Sequence, residues 1–240
     1  MVARVPRVNL ARVRIPALRL FFCQCFTWNI LIYNLMNNMK RDEINRILED
    51  LNKTQNRNIV IIDFGNVQKW EESLGWKIGI KQLGGLVKCF AQGKRFLRRF
   101  YYGSDLGPKE KSKTLSLWSS MVLGKARMNN SEVITKRVKY IPDKNYKTGF
   151  LKKCNFDVEI SVDLIKESDN YDKIILFSGD GDFGYLLEYL KEKYNKKSIV
   201  FGARGHIGKE LYDAKSRGIV SSILYAEDLE YRLNMSRFRR

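Results

Sequence analysis

The chain has 240 residues, 44% of them hydrophobic, which is an ordinary globular mixture for one good-sized domain with a tail or for two small domains. Its 44 lysines and arginines against 26 aspartates and glutamates give a formal net charge of +18, which favours a polyanionic partner, nucleic acid ahead of an anionic membrane. Four cysteines without a CxxC pair and a single histidine argue against a structural zinc site and a disulfide framework, and favour a reducing cytoplasm.

Residues 1–40 differ from the rest of the chain, because they carry five arginines and one lysine but no acid. Residues 17–36 are largely apolar, which is compatible with a membrane anchor or a signal peptide. Polar residues interrupt the apolar run, and no small-residue cleavage site follows it. We therefore favour a third interpretation, in which residues 1–40 are non-native or disordered, translation begins at Met36 or Met39, and no stable membrane association is expected.

From Arg41 onward the apolar pattern predicts a short helix at 41–51, a polar linker to residue 56, and then alternating strands and helices. The predicted strands are 58–62, 98–104, 132–141, 173–179, 198–203 and 219–226. The predicted helices are 79–92, 109–123, 156–168, 182–194, 206–216 and 227–233. This alternation predicts an α/β fold over residues 57–234, with a mostly parallel sheet between two helical layers, followed by a basic tail at 235–240.

Acidic and amide side chains follow two of the predicted strands or begin the helix between them. They are Asp63, Asn66, Asp157, Asp180 and Asp182, with Asp163 as a further member. Ligands of doubly wound sheets bind outside the carboxyl ends of the strands, and we expect Asp63 and Asp180 to close neighbouring strands. Clustered carboxylates repel one another unless a cation lies between them, and Mg²⁺ or Mn²⁺ prefers such oxygen ligands. A turn or N-cap role explains each acid singly, but the metal interpretation explains the set better.

A second motif overlaps this set. Residues 179–184, Gly-Asp-Gly-Asp-Phe-Gly, fit the GxGxxG spacing of dinucleotide-binding turns and lie between a predicted strand and helix. The aspartates would face a pyrophosphate with like charge, and the strand at 198–203 is followed by Arg204 instead of an acid for the ribose. A nucleotide-cofactor site therefore remains a weaker alternative.

Three segments carry a family resemblance: VIIDFGNV at 60–67, FDVEISVDLI at 156–165 and ILFSGDGDFGYLLEYL at 175–190. Together they resemble the signature of the NYN domain family, in its LabA-like branch, which belongs with the PIN-like nucleases. The resemblance covers about residues 57–227. It implies a PIN-like fold and a metal-dependent ribonuclease, with Asp63, Asn66, Asp157, Asp180 and Asp182 at the acidic site. The family often has Lys-Gly-hydrophobic-Asp before the middle helix, where residues 153–157 here read Lys-Cys-Asn-Phe-Asp.

The resulting hypothesis is an endoribonuclease that uses Mg²⁺ or Mn²⁺ to hydrolyse RNA phosphodiester bonds. Lys152, Lys153 and Arg204 are the predicted RNA contacts, since cations beside an acidic centre would hold the phosphate backbone. A non-catalytic RNA-binding or regulatory module is the competing hypothesis. A homo-oligomer is also compatible with the sequence.

Overall fold

The computed structural model of the protein describes residues 38–53, 57–91, 96–106 and 116–233. The predictions for residues 1–37, for most of the linker, for the first part of the helix at 109–123 and for the basic tail lie outside these residues. From Ile44 onward the chain forms one compact unit, and the architecture below is that of this unit.

A six-stranded, fully parallel sheet forms the middle layer. The strands within the described ranges, β1 to β8, are Asn58–Asp63, Leu97–Tyr101, Glu132–Ile134, Lys139–Pro142, Phe150–Lys153, Lys173–Phe177, Lys197–Gly202 and Val220–Tyr225. The sheet has the order β3-β2-β1-β6-β7-β8, and β4 and β5 form a separate antiparallel pair. The strand order therefore reverses between β1 and β6.

Helices cover both faces of the sheet. They are α1 (38–52), α2 (Phe64–Lys69), α3 (Glu71–Leu74), α4 (Ile80–Phe90), α5 (Leu117–Met128), α6 (Asp157–Lys166), α7 (Phe183–Tyr194), α8 (Lys209–Ser216) and α9 (Glu230–Leu233). One core lies beneath α1, α2, α4, α5 and α9, and the other beneath α6, α7 and α8. This arrangement confirms the predicted three-layer α/β/α fold with a mostly parallel sheet.

The sequence explains why β1 lies at the centre. All of its six residues are buried, because a parallel strand with helices on both faces buries the side chains of both pleats. The helix α4 buries Leu83, Val87 and Phe90 on one stripe at helical spacing, and it tolerates the two glycines at 84 and 85. Helix α1 buries Leu48 and Leu51 in the same core, so it packs as part of the fold.

Two predicted elements differ from the structure, and three short elements were not predicted. The strand predicted at 132–141 is split into β3 and β4. Regular pairing with β2 ends at Ile134, an isolated parallel bridge joins Arg137 to Ser104, and the chain then pairs antiparallel with β5. Neither β5 nor the short helices α2 and α3 was predicted, since four to six residues give little periodicity. Helix α5 begins at Leu117 and extends to Met128, because Ser116 caps it by accepting the Ser119 N–H at 3.2 Å.

Within the residues that the structure describes, no helix combines the length and the apolar character needed to cross a bilayer.

Candidate metal centre at the carboxyl end of the sheet

The strand order brings the first acid to the centre of the sheet edge. Strands β1 and β6 pair in parallel with Ile62 opposite Phe177, which confirms that the strands ending near Asp63 and Asp180 are neighbours. Asp63 is 9% exposed. Its Oδ2 accepts the Ser178 hydroxyl at 3.3 Å, and its Oδ1 accepts the Asn66 N–H at 3.3 Å and so caps α2. Asp63 therefore ties the first βα turn to the end of β6.

Three further carboxylates converge beside it. One oxygen each of Asp157, Asp180 and Asp182 lies within 4.8 Å of the other two, a spacing that one divalent cation can bridge. Asp180 and Asp182 come from the turn between β6 and α7, and Asp157 is the first residue of α6. The oxygen donors match the preference of Mg²⁺ and Mn²⁺ for hard ligands, so these residues fit such an ion.

The alternative N-cap role accounts for only part of this arrangement. Asp182 occupies the N-cap position of α7, but its side chain makes no capping hydrogen bond. The Asp182 N–H is instead donated to Oδ1 of Asp180 at 3.1 Å. Asp157 accepts a hydrogen bond from the Asn155 side chain at 2.7 Å. These carboxylates retain oxygens that can face a cation, whereas Asp63 does act as a cap.

The site is electrostatically costly without a cation. Burial raises the pKa of Asp63 to about 6, and the negative charges of Asp157 and Asp180 add to the shift. Burial also raises the pKa of Asp157, helped by the charges of Asp180 and Asp182. A divalent ion would favour the ionised carboxylates and reverse both effects.

We therefore expect Asp63→Asn to make the metal-free protein more stable at pH 7, by about 1 to 3 kcal/mol. Below about pH 4 the carboxyl is protonated in both the folded and the unfolded chain, so the substitution should have little effect. As the pH rises to about 6, the unfolded chain releases this proton first, and the wild type should lose stability that the variant retains. Urea unfolding in EDTA at pH 4 and pH 7 measures the difference. Equal free energies of unfolding at pH 7 would contradict it.

Asn66 lies between helix α2 and the turn after β6. Its Oδ1 accepts the Trp70 indole N–H at 2.9 Å and the backbone N–H of Gly179 at 3.0 Å. The oxygen is thus engaged within the protein, and it fastens the turn after β6 to helix α2. Asn66 thereby holds the loop that carries Asp180 and Asp182.

Asp163 lies in an ion-pair network at the other end of α6. It accepts the Tyr101 hydroxyl at 2.7 Å and lies 3.3 Å from the Arg99 guanidinium. Arg99 also pairs with Glu132 on β3 and with Glu167, at 3.0 and 2.8 Å. Asp163 is not a member of the three-carboxylate group, and its contacts tie α6 to β2.

The glycine-rich turn is filled by protein. A Cβ on Gly179 would lie 1.7 Å from the carbonyl oxygen of His206, and one on Gly208 would lie 2.6 Å from the Cα of Gly181. The Gly208 N–H is donated to the Gly179 carbonyl at 2.8 Å. The space beside the first glycines of the motif is therefore taken by the loop after β7, which argues against a pyrophosphate there. The glycines of the motif let the turn after β6 and the loop after β7 approach each other closely.

A groove with a volume of about 790 Å³ opens onto the acids. Asp63, Asp157 and Asp180 line it, and Lys69, Lys152, Lys153 and the 54%-exposed Trp118 are among its other lining residues. Two of the predicted RNA contacts, Lys152 and Lys153, thus lie with the acids. The third, Arg204, pairs with Asp228 at 2.5 Å and stacks on Tyr225, with the guanidinium 4.4 Å from the ring centroid.

The structural role of Ser178 at the site was not predicted. Ser178 is fully buried and, besides bonding to Asp63, accepts the Asp180 N–H at 3.3 Å. In the sequence, the one signal for this hydrogen-bonding role of Ser178 is its position directly before Gly179. Lys136, in the segment after β3, pairs with Glu159 at 2.5 Å, and its ammonium lies over the Phe156 ring. Nothing local in the sequence distinguishes this lysine from the others.

Comparisons with known proteins agree with this description. The family model of the NYN domain matches residues 37–223. Over 87 residues the chain is 37% identical to the "Low amplitude and bright protein LabA" of Synechococcus elongatus, an alignment that spans 36% of this chain and 46% of that relative. The fold is similar to the crystal structure of a protein of unknown function from Vibrio parahaemolyticus. The TM-score is 0.54 at 23% identity, over 73% of this chain and 96% of that one, which shows a shared fold alone.

Proposed function

The chain belongs to the NYN domain family, a nuclease-like family, and from this premise we propose that it is a metal-dependent endoribonuclease. The observation that carries the proposal is the convergence of three carboxylates at the reversal point of the strand order, beside a groove that lysines also line. Ligands of doubly wound sheets bind at this point. Acids at the reaction centre and cations along the groove suit a phosphodiester substrate.

In this proposal Asp157, Asp180 and Asp182 hold Mg²⁺ or Mn²⁺. When bound, such an ion supplies a Lewis acid for the phosphoryl oxygen and lowers the pKa of a coordinated water. The protein residues supply position: Asp63 and Ser178 fix the ends of β1 and β6, and Asn66 holds the turn that carries the acids.

RNA is the proposed substrate, and the groove lysines support this choice. Lys152 and Lys153 lie on the same groove as Asp157, where an ammonium can contact the phosphates that flank the scissile bond. The proposal includes a reducing cytoplasmic setting. Cys89 and Cys154, the two cysteines within the described ranges, are free thiols in agreement with it.

The direct test is cleavage of a mixed RNA pool by the purified protein. We expect endonucleolytic products in Mg²⁺ or Mn²⁺, none in EDTA, and recovery when the ion is restored in excess. A DNA pool of the same sequences tests the preference for RNA. If RNA binds but stays intact in both ions, the protein is a non-catalytic RNA-binding module. Cleavage that persists in EDTA would refute the metal requirement.

A further inference from the structure

The antiparallel pair β4–β5 and its connecting turn, residues 139–153, form a basic arm beside the groove. The arm has one acid, Asp143, and its five lysines are all exposed. These lysines are Lys139, Lys144, Lys147, Lys152 and Lys153. So many lysines on one two-stranded element repel one another, and an anionic partner would relieve this repulsion.

The root of the arm is fixed to the body of the domain. The Lys152 ammonium is donated to Oδ2 of Asp105 at 2.8 Å, and the Tyr140 hydroxyl is donated to Oδ1 of the same carboxylate. The Val138 N–H is donated to the Ser104 carbonyl at 3.0 Å. Asp105 itself lines the groove. The arm therefore leaves the domain from the wall of the groove in a defined direction.

The tip of the arm is closed by its own hydrogen bonds. The Asp143 N–H is donated to the Gly149 carbonyl at 3.0 Å, and the Asp143 carboxylate accepts the Asn145 N–H at 2.9 Å. Gly149 adopts a left-handed φ of 70° that suits glycine. The one acid of the arm is thus used by the turn, and within the described ranges Lys144 and Lys147 have no acidic partner.

The spacing of these charges suits a chain of phosphates. At about 3.3 Å per strand residue, the lysines at the tip lie roughly 10 to 15 Å from those at the root. A single phosphate at the metal centre could contact only the root. A polynucleotide that leaves the centre along the arm would place further phosphates near the tip, since nucleotides repeat every ~3.4 Å or more along a strand.

We propose that the basic arm binds the RNA backbone several nucleotides away from the scissile phosphate, so that affinity depends on substrate length. This proposal rests on the proposed function, because it takes RNA at the acidic centre as the substrate. Lys144 and Lys147 bind phosphates and contribute to affinity, while the reaction centre lies outside their reach. The arm thereby sets the direction in which the RNA extends from the site.

The test compares the double variant Lys144→Gln/Lys147→Gln with the matched control Lys166→Gln/Lys197→Gln. The control removes two exposed lysines at the end of α6 and the start of β7, at the opposite edge of the sheet. With RNA of about 20 nucleotides, the arm variant should raise KM roughly tenfold at unchanged kcat. With RNA of about four nucleotides, variant and wild type should have equal KM.

Binding is measured separately from cleavage, on the Asp180→Asn background and over a range of salt. The plot of log affinity against log salt should be less steep for the arm variant by roughly 1.4, because each of the two lost phosphate contacts contributes about 0.7 to the steepness. The control should have the slope of the wild type. If the wild type binds RNA without cutting it, the proposed function is refuted, and the slope still tests whether the arm binds RNA. The arm proposal would be overturned by an unchanged slope, or by an equal KM increase with the short RNA. It would also be overturned if the arm variant lost affinity for anionic lipid vesicles in place of RNA.

Discussion

Asp180→Asn is expected to slow RNA cleavage by about 10³-fold or more while the fold and the RNA affinity are retained. Changes that only orient a metal ligand already cost about 10- to 100-fold, so loss of a ligand charge should cost more. The amide can still accept the Asp182 N–H through its Oδ1, so the turn should keep its conformation. Single-turnover cleavage in Mn²⁺ measures the loss, and calorimetry should show weaker binding of the ion.

The matched control is Asp213→Asn, which removes the same charge from an exposed position on α8. It should cut RNA like the wild type. Asparagine and aspartate are both good helix caps, so a purely structural role for Asp180 predicts that its variant is active too. Full activity of the Asp180 variant, or binding of the ion with unchanged affinity, would refute the metal centre and leave an RNA-binding module.

Gly179→Ala is expected to destabilise the fold by about 3 kcal/mol or more, a large part of the total stability of a domain. The new Cβ would lie 1.7 Å from the His206 carbonyl oxygen, and backbone on both sides must move to make room. The hydrogen bond between Gly208 and Gly179 would be lost with that movement. The midpoint of urea unfolding measures the effect.

Gly85→Ala serves as the control because its Cβ would meet nothing within 4 Å in the middle of α4. Alanine is the better helix former, so this variant should gain about 0.5 to 1 kcal/mol. The two glycine-to-alanine changes should thus have opposite signs. A stable Gly179→Ala protein would show that the loop after β7 can move aside, which would reopen the case for a ligand at residues 179–184.

The strand framework and the position of the site were predictable because they depend on local patterns. Short apolar runs such as NIVII at 58–62 mark buried parallel strands, and all six residues of β1 are indeed buried. Ligand sites of such sheets follow the carboxyl ends of the strands. Asp63 and Asp180 could be expected to end neighbouring strands on these grounds alone, and β1 and β6 do pair.

The roles of individual polar residues were not predictable, because they depend on partners far away in the chain. Asp163 bonds to Tyr101, which is 62 residues away, and Asn66 bonds to Gly179, which is 113 residues away. The hairpin of the basic arm was missed for a similar reason. Residues 132–141 resemble one long strand, and only the antiparallel pairing of β4 with β5 shows that two strands are present.

The pairing of β1 with β6 has a consequence for the newly made chain. Ser178 and Asp63 are 115 residues apart, and the acids at 180 and 182 follow directly after. At about 5 to 20 residues per second, a ribosome needs roughly 6 to 23 seconds to add the second half of the site after the first. A truncated product that stops before β6 carries the basic arm but lacks two of the three clustered acids. An incomplete chain would therefore lack the candidate metal centre until β6 and the turn after it have been made.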